Sequence, residues 1–159
     1  MKRILIATDG SAGSHDAVEL GLDLAGEHDA TVFVVHVVPT VDVAPWSGFG
    51  MAVAAPHDIS DADREPIEDA LLSADERGVR VVAELLPGNP IHEIVAFADA
   101  HDVDLIVIGS RGHGAVASAV LGSVSLGVLR ETQRPVLIVR AASPAGERAP
   151  RKSRGVVRV

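Results

Sequence analysis

A glycine-rich stretch from Gly109 to Ser125 has the residue types of a phosphate-binding loop. It follows an apolar run, Asp104–Ile108, which we interpret as a buried strand, and it leads into residues with apolar side chains at helical spacing. Glycines let a backbone approach oxyanions closely, and a helix N-terminus directs N–H groups at negative charge. Ser123 and Ser125 could each add a hydroxyl donor or an oxygen ligand for Mg²⁺. The stretch therefore predicts a phosphate site where the helix begins, at Gly122.

The spacing of these glycines differs from the two best-known nucleotide loops. A Walker loop has Lys before its final Ser or Thr, whereas Val124 follows Ser123 here and no Lys is present. A Rossmann fingerprint occupies the first strand–helix junction and has an acidic residue about 20 positions later, whereas this stretch stands at the fourth junction. The observed spacing is Gly109-x2-Gly112-x9-Gly122-Ser123. A loop with glycines at its turns and no ligand remains the alternative.

Length and composition indicate one globular domain. The chain has 159 residues, no Cys, 47% hydrophobic residues and 3% aromatic residues, so its core must consist of Val, Leu, Ile and Ala. No apolar run is long enough to span a bilayer, and the strand pattern that begins after Met1 predicts no signal peptide. We therefore expect a cytoplasmic protein without a membrane partner. The net charge of −8 argues against nucleic acid as a partner.

The charge is distributed unevenly along the chain. Residues 147–159 contain five basic residues and one acidic residue, a local charge of +4 that leaves −12 for the rest. Residues 141–159 are also rich in Pro, Gly and Ser, and we expect a basic, disordered tail after a domain at residues 1–140. Such a tail would bind a nucleic acid or another anionic partner, or it would fold onto the acidic body.

Hydrophobic periodicity predicts strands that alternate with helices. The predicted strands are Arg3–Thr8, Ala30–Val38, Val79–Leu86, Asp104–Ile108 and Val136–Val139. Ser11 or Ser14 would cap the first helix, and Asn89 would cap the third helix ahead of Pro90. The second helix would begin between Asp61 and Pro66 and end at Arg77-Gly78. Pro39–Ser60 reads as a long irregular loop. The apolar faces predicted for the first three helices contain Ala17, Leu20, Gly21, Leu24, Ala25, Ile67, Ala70, Leu71, Ala74, Ile91, Ile94, Val95 and Ala98.

This βαβαβαβαβ order predicts a single-domain, doubly wound α/β fold around a parallel sheet, as in Rossmann-like proteins. Ligands of such folds bind outside the carboxyl ends of the strands, where the strand order reverses. With the strand order 3-2-1-4-5, this switch point lies between strands 1 and 4. Asp9 would then lie beside Gly109, although a hundred residues separate them in sequence.

The chain resembles the universal stress protein (UspA-like) family, and specifically its ATP-binding type. The resemblance covers residues 2–140 and implies the five-stranded order 3-2-1-4-5. It rests on Ile-Ala-Thr-Asp-Gly-Ser (6–11), Val-His-Val-Val (35–38), Gly-Asn-Pro (88–90), Ile-Gly-Ser-Arg-Gly (108–112), Leu-Gly-Ser-Val-Ser (121–125) and Arg-Pro-Val-Leu-Ile-Val (134–139).

The resemblance implies a binding site for an adenine nucleotide. The expected nucleotide is ATP, with Mg²⁺ beside Ser123 or Ser125, and the alternatives are ADP, AMP and a cyclic nucleotide. Asp9 would contact the ribose or hold the loop over the base, and Val37 would pack on the adenine and bond its edge through the backbone. Arg111 lies in the loop, within reach of phosphates. The implied nucleotide-binding residues are Ala7, Thr8, Asp9, Val37, Ile108, Gly109, Arg111, Gly112, Gly122, Ser123, Val124 and Ser125.

The resemblance also implies a homodimer that pairs through the last strand, Val136–Val139. The alternative is a solvent-exposed edge strand.

Enzymatic turnover has little support in the residue pattern. Phosphoryl transfer needs a positioned nucleophile. Arg111 and His113 lie in the loop and could touch phosphates, but no residue stands out as a base for water. The seven histidines do not pair at metal-ligand spacing, so no zinc site is expected, and His36 reads as a core or subunit-contact histidine. We expect nucleotide binding with little or no hydrolysis. A slow ATPase or autophosphorylating protein, and a nucleotide-free scaffold or chaperone-like protein, are the alternatives.

Overall fold

The computed structural model describes residues 1–39, 60–112 and 121–141. The predicted Pro39–Ser60 loop, His113 and the predicted tail fall almost wholly outside these ranges. Within them the chain forms one parallel sheet with the order β3-β2-β1-β4-β5, which confirms the predicted topology. The elements are β1 (Arg3–Ala7), α1 (Ala12–His28), β2 (Thr31–Pro39), a short 3-10 turn (Asp61–Asp63), α2 (Glu65–Arg77), β3 (Val81–Gly88), α3 (Pro90–Ala100), β4 (Leu105–Gly109), α4 (Ser123–Glu131) and β5 (Val136–Val139).

Helices cover both faces of the sheet, as the continuous apolar strands predict. Ile4 and Ile6 of β1 point to the layer of α1 and α2, where they pack with Leu22. Leu5 points to the opposite layer of α3 and α4, where it packs with Ile94. Successive residues of a strand alternate between faces, so each strand contributes to two separate cores. None of the helices in the described ranges is long and apolar enough to cross a membrane.

The helix ends follow the predicted capping residues. The Ser11 side chain accepts a hydrogen bond from the backbone N–H of Ser14 (3.3 Å), so Ser11 is the cap of α1. Asn89 Oδ1 accepts from the Ile91 N–H group (2.9 Å) at the start of α3. Gly78 ends α2 with a φ of 63°, a left-handed conformation that favours glycine.

Two leucines that the periodicity assigns to the core are exposed. Leu20 and Leu71 are 39% and 40% exposed, whereas Leu22 is fully buried and Val18 is 3% exposed. The buried face of α1 is therefore rotated from the predicted face, away from Leu20 and towards Val18 and Leu22. Gly21 lies within the buried face: an added Cβ there would lie 2.5 Å from Ile6 Cδ1, so α1 packs closely on β1 at this point.

The side chain of Asp104 connects the start of β4 to the start of β1. Its hydrogen bonds should stabilise the fold in a way that is lost in acid. Its carboxylate accepts the backbone N–H groups of Lys2 (2.6 Å) and Arg3 (3.0 Å), and these bonds lower the pKa of Asp104 below its ordinary 3.8. A carboxyl group with a lowered pKa in the folded state stabilises the fold above its unfolded pKa. That contribution is lost as the pH falls through the lower, folded value.

We therefore expect Asp104→Asn to lower the free energy of unfolding at pH 7. The difference from wild type should shrink below about pH 4, as Asp104 of the wild type becomes protonated. Urea unfolding of both proteins at pH 7 and pH 3 measures this difference. A difference that is independent of pH would contradict the assignment.

Candidate functional site

A cavity of about 390 Å³ opens at the carboxyl ends of the strands, between β1 and β4. This is the switch point, where the chain leaves β1 for α1 and leaves β4 for α4. All twelve residues that the sequence assigns to the nucleotide site line this cavity. Among the described residues, six further ones line the cavity that sequence reasoning did not assign to it, which are Ser14, Val35, His36, Pro39, Pro90 and Ile94.

One wall of the cavity is apolar. Val37 and Ile108 are 7% and 6% exposed, and they face the same side of the sheet as Ala7 and Val35. Ile94 of α3 closes this wall from the helical layer. The helical spacing of α3 predicted that Ile94 is buried, but only the placement of α3 over the sheet brings it to the cavity.

The backbone of Val37 is directed into the gap that β1 leaves. Thr8 donates its N–H group to the carbonyl of Val35 (3.0 Å), so the polar backbone groups of Val35 face β1. In a parallel strand the direction of these groups repeats every second residue, so the N–H and C=O groups of Val37 face the same way. The β1–β2 pairing ends at Ala7 and Val35. Val37 therefore presents one donor and one acceptor at the edge of the apolar wall.

The carboxylate of Asp9 lies between the two loops of the switch point. Its Oδ1 atom accepts the N–H group (3.0 Å) and the hydroxyl (2.6 Å) of Ser11, just before α1. A Cβ added to Gly112 would overlap Asp9 Oδ2, so the loop after β4 runs directly against the carboxylate. Of the two roles predicted for Asp9, this contact favours holding the loop.

The first turn of α4 forms the polar end of the cavity. Gly122 is its cap residue and supplies no side-chain hydrogen bond. Among residues 1–39, 60–112 and 121–141, the N–H groups of Ser123, Val124 and Ser125 have no hydrogen-bond partner, as is usual for the first donors of a helix. The Ser125 hydroxyl is buried and donates to the carbonyl of Gly109 (2.7 Å), whereas Ser123 is exposed. Ser123 is thus the better placed hydroxyl for a ligand or a cation.

Gly109 has a packing role that the sequence did not indicate. A Cβ at this position would lie 2.7 Å from the carbonyl oxygen of Gly13 and 2.9 Å from the Ser14 nitrogen. The first turn of α1 can approach the end of β4 only because this Cβ is missing. The implied contact of Gly109 with the nucleotide stays a prediction.

The histidine of the cavity is bonded to the main chain. His36 Nδ1 lies 2.8 Å from the carbonyl oxygen of Thr8, and because a carbonyl only accepts, Nδ1 carries the hydrogen. In residues 1–39, 60–112 and 121–141, no three His, Cys, Asp or Glu side chains are grouped so that they could hold a metal ion.

These features define a doubly wound α/β protein with a ligand-sized cavity at its switch point. The sequence profile of the Universal stress protein family matches residues 1–140. The chain therefore belongs to the universal stress protein family, as its motifs predicted.

Curated relatives agree with this assignment. A universal stress protein of Methanocaldococcus jannaschii is 38% identical over 143 residues, which cover 87% of this chain and 82% of the relative. The universal stress protein YxiE of Bacillus subtilis is 35% identical over 145 residues, which cover 87% of this chain and 98% of the relative.

Solved structures share the fold. Universal stress protein UspA from Lactobacillus plantarum superimposes with a TM-score of 0.71 at 23% identity, over 87% of this chain and 97% of its own. A universal stress protein solved in complex with cAMP gives 0.66 at 23% identity, over 89% and 98% of the two chains. The Archaeoglobus fulgidus protein in complex with dAMP gives 0.62 at 23% identity, over 87% and 98%.

The close packing at Gly109 predicts that a single methyl group there destabilises the fold. Gly109→Ala should cost about 1–3 kcal/mol, because the clashing atoms belong to the backbone of α1 and cannot rotate away. Gly26→Ala is the matched control. Gly26 lies in α1, and an added Cβ there would contact only Val79 Cγ2, at 4.0 Å. Because Ala has the higher helix propensity, Gly26→Ala should raise the free energy of unfolding by about 0.5–1 kcal/mol. Urea unfolding compares the two, and equal effects would refute the packing role.

Proposed function

We propose that this universal stress protein binds ATP at the switch-point cavity and acts as a nucleotide-dependent regulatory module in the cytoplasm, with little or no turnover. The observation that carries the proposal is that one cavity combines an apolar wall with the N-terminus of α4, whose first N–H groups have no partner among the described residues. ADP and AMP share the chemistry of both ends and are the alternative ligands.

The apolar wall suits a flat purine base. Val37 and Ile108 lie on the sheet side and Ile94 on the helix side, so a base between them would lose contact with water on both faces. The backbone N–H and C=O of Val37 match the acceptor N1 and the donor amino group of adenine. This match supports adenine over guanine, which presents the reverse pattern at these positions.

The polar end suits phosphate. The N–H groups of the first turn of α4 and the positive end of its dipole favour an anion. Arg111 is the one cationic side chain among the described lining residues, and Ser123 offers an exposed hydroxyl to phosphate or to the accompanying Mg²⁺. The cAMP and dAMP complexes of structural relatives support an adenine nucleotide as the ligand.

Limited turnover is proposed because the described lining residues supply no obvious base for water. Asp9, His36 and Arg111 are their only titratable groups. Asp9 Oδ1 already accepts two hydrogen bonds from Ser11, and His36 Nδ1 is bonded to Thr8. Slow hydrolysis or autophosphorylation is the enzymatic alternative.

The phosphate end can be tested with a substitution that should not harm the fold. A carboxylate at Ser123, in the first turn of α4, interacts favourably with the helix dipole but repels phosphate. We expect Ser123→Asp to weaken ATP binding by about 100-fold, and Ser123→Ala by about tenfold or less. Calorimetric titration with ATP and Mg²⁺ measures both, and the unfolding temperature of Ser123→Asp should not fall.

Adenosine is the matched ligand control for this experiment. It lacks phosphate, so Ser123→Asp should bind it as well as wild type does. Wild-type protein that binds none of ATP, ADP, AMP and adenosine would overturn the proposal, and the nucleotide-free scaffold would take its place.

We also propose a homodimer that pairs through β5. Ile106 donates its N–H group to Pro135 O (2.9 Å) and Ser110 donates to Val139 O (2.6 Å), so these carbonyls face β4. By alternation, the N–H and C=O groups of Val136 and Ile138 face the open edge of the sheet. No other strand in the described part of the chain pairs with this edge, which a second copy would use.

Ile138→Pro tests the dimer, because it removes an outward N–H group while the pairing with β4 is retained. Ile138→Ala is the control, since it loses similar side-chain packing but keeps the N–H group. We expect the Ala variant to remain dimeric and the Pro variant to shift towards monomer in analytical ultracentrifugation. A monomeric wild type, or a fully dimeric Pro variant, would refute pairing through β5.

A further inference from the structure

The last backbone hydrogen bond between the β1 end of the chain and β2 is made by the N–H group of Thr8. Thr8 N–H donates to Val35 O, and the next bond of a parallel ladder would join Val37 N–H to Thr8 O. Both residues are described, and this bond is not made. The carbonyl of Thr8 instead accepts the Nδ1–H group of His36 at 2.8 Å. A side chain of β2 thus occupies the acceptor that the backbone of β2 would otherwise use.

Thr8 is held in this position from its other side as well. Its hydroxyl donates to Ser14 Oγ (3.2 Å) in the first turn of α1 and accepts from the N–H group of Gly10 (3.3 Å). Thr8 is 7% exposed, so these bonds are shielded from water. The residue is therefore anchored to α1 by its side chain and to β2 by its carbonyl, and its carbonyl is turned towards His36.

We propose that His36 is a positioning residue for base recognition, because its bond to the Thr8 carbonyl keeps the Val37 N–H group available to N1 of adenine. This inference rests on the proposed function, since it concerns how the same cavity reads its base. His36 itself need not touch the nucleotide. Without its Nδ1–H group, the Thr8 carbonyl is free to turn back to Val37, and the ladder closes over the donor.

The effect should appear in the choice of base and not only in affinity. Adenine N1 accepts a hydrogen bond, whereas N1 of hypoxanthine carries a hydrogen and its O6 accepts. A site with an available Val37 N–H group therefore favours ATP over inosine triphosphate, because the wrong base leaves buried polar groups unpaired. A site whose Val37 N–H group is already bonded loses this preference.

Two substitutions of similar shape separate the hydrogen bond from the packing of His36. The side-chain amide nitrogen of Asn occupies the position of His Nδ1 and carries hydrogens, whereas Leu has the same branching and no donor. We expect His36→Asn to bind ATP within about threefold of wild type. His36→Leu should bind ATP about tenfold more weakly and should lose most of the discrimination against inosine triphosphate.

A measurement without ligand tests the same mechanism in the free protein. Amide hydrogen exchange should be about 100-fold faster at Val37 than at Val35 in wild type and in His36→Asn, because the Val37 N–H group has no ladder bond. In His36→Leu the exchange at Val37 should become slower, as the carbonyl of Thr8 turns back.

The outcomes distinguish this inference from the proposed function. Nucleotide binding with unchanged base discrimination in His36→Leu would overturn the inference alone. A wild-type protein that binds no adenine nucleotide would overturn the proposed function. A Val37 amide that exchanges as slowly as Val35 in wild type would overturn the role of His36 whatever the nucleotide result.

Discussion

The site depends on the close approach of the first turn of α1 to the carboxyl end of β4. Gly109 makes this approach possible, because its missing Cβ leaves room for the backbone of Gly13 and Ser14. The same turn carries Ser11, which binds the Asp9 carboxylate, and Ser14, which binds the Thr8 hydroxyl. The pairing of β1 with β4 sets the ends of the two strands side by side, and this contact between two backbones sets how closely the start of α1 lies against the end of β4, where the cavity opens.

The glycine spacing that indicated a phosphate loop is, to a large extent, a packing pattern. Gly109 lies against α1, Gly112 lies against the Asp9 carboxylate, and an added Cβ at Gly122 would lie 3.3 Å from the Ser110 carbonyl oxygen. These contacts bring the loop after β4 and the start of α4 to the cavity. The N–H groups of α4 can face a phosphate because the glycines allow the backbone to pack closely behind them.

The cavity owes its exposed backbone donor and acceptor to the fact that β1 ends before β2 does. Val37 extends past the end of β1, so its side chain stays in the apolar core while its polar backbone groups face the opening. A buried strand normally pairs all such groups. Unpaired groups at the end of a strand are a source of specificity, and here the side chain of His36 bonds the Thr8 carbonyl that the Val37 N–H group would meet in a continued ladder.

The sequence by itself determined the elements, their order and the twelve predicted residues that line the cavity. Strand and helix periods, the caps at Ser11 and Asn89, and the family motifs depend on neighbouring residues, so they can be read locally. Only the tertiary structure decided that Leu20 is exposed, that Ile94 reaches the cavity and that His36 binds Thr8. These features depend on the distance between a helix or the end of a strand and the element that packs against it. That distance follows from side-chain contacts between segments remote in sequence, such as Gly21 with Ile6, which no local period encodes.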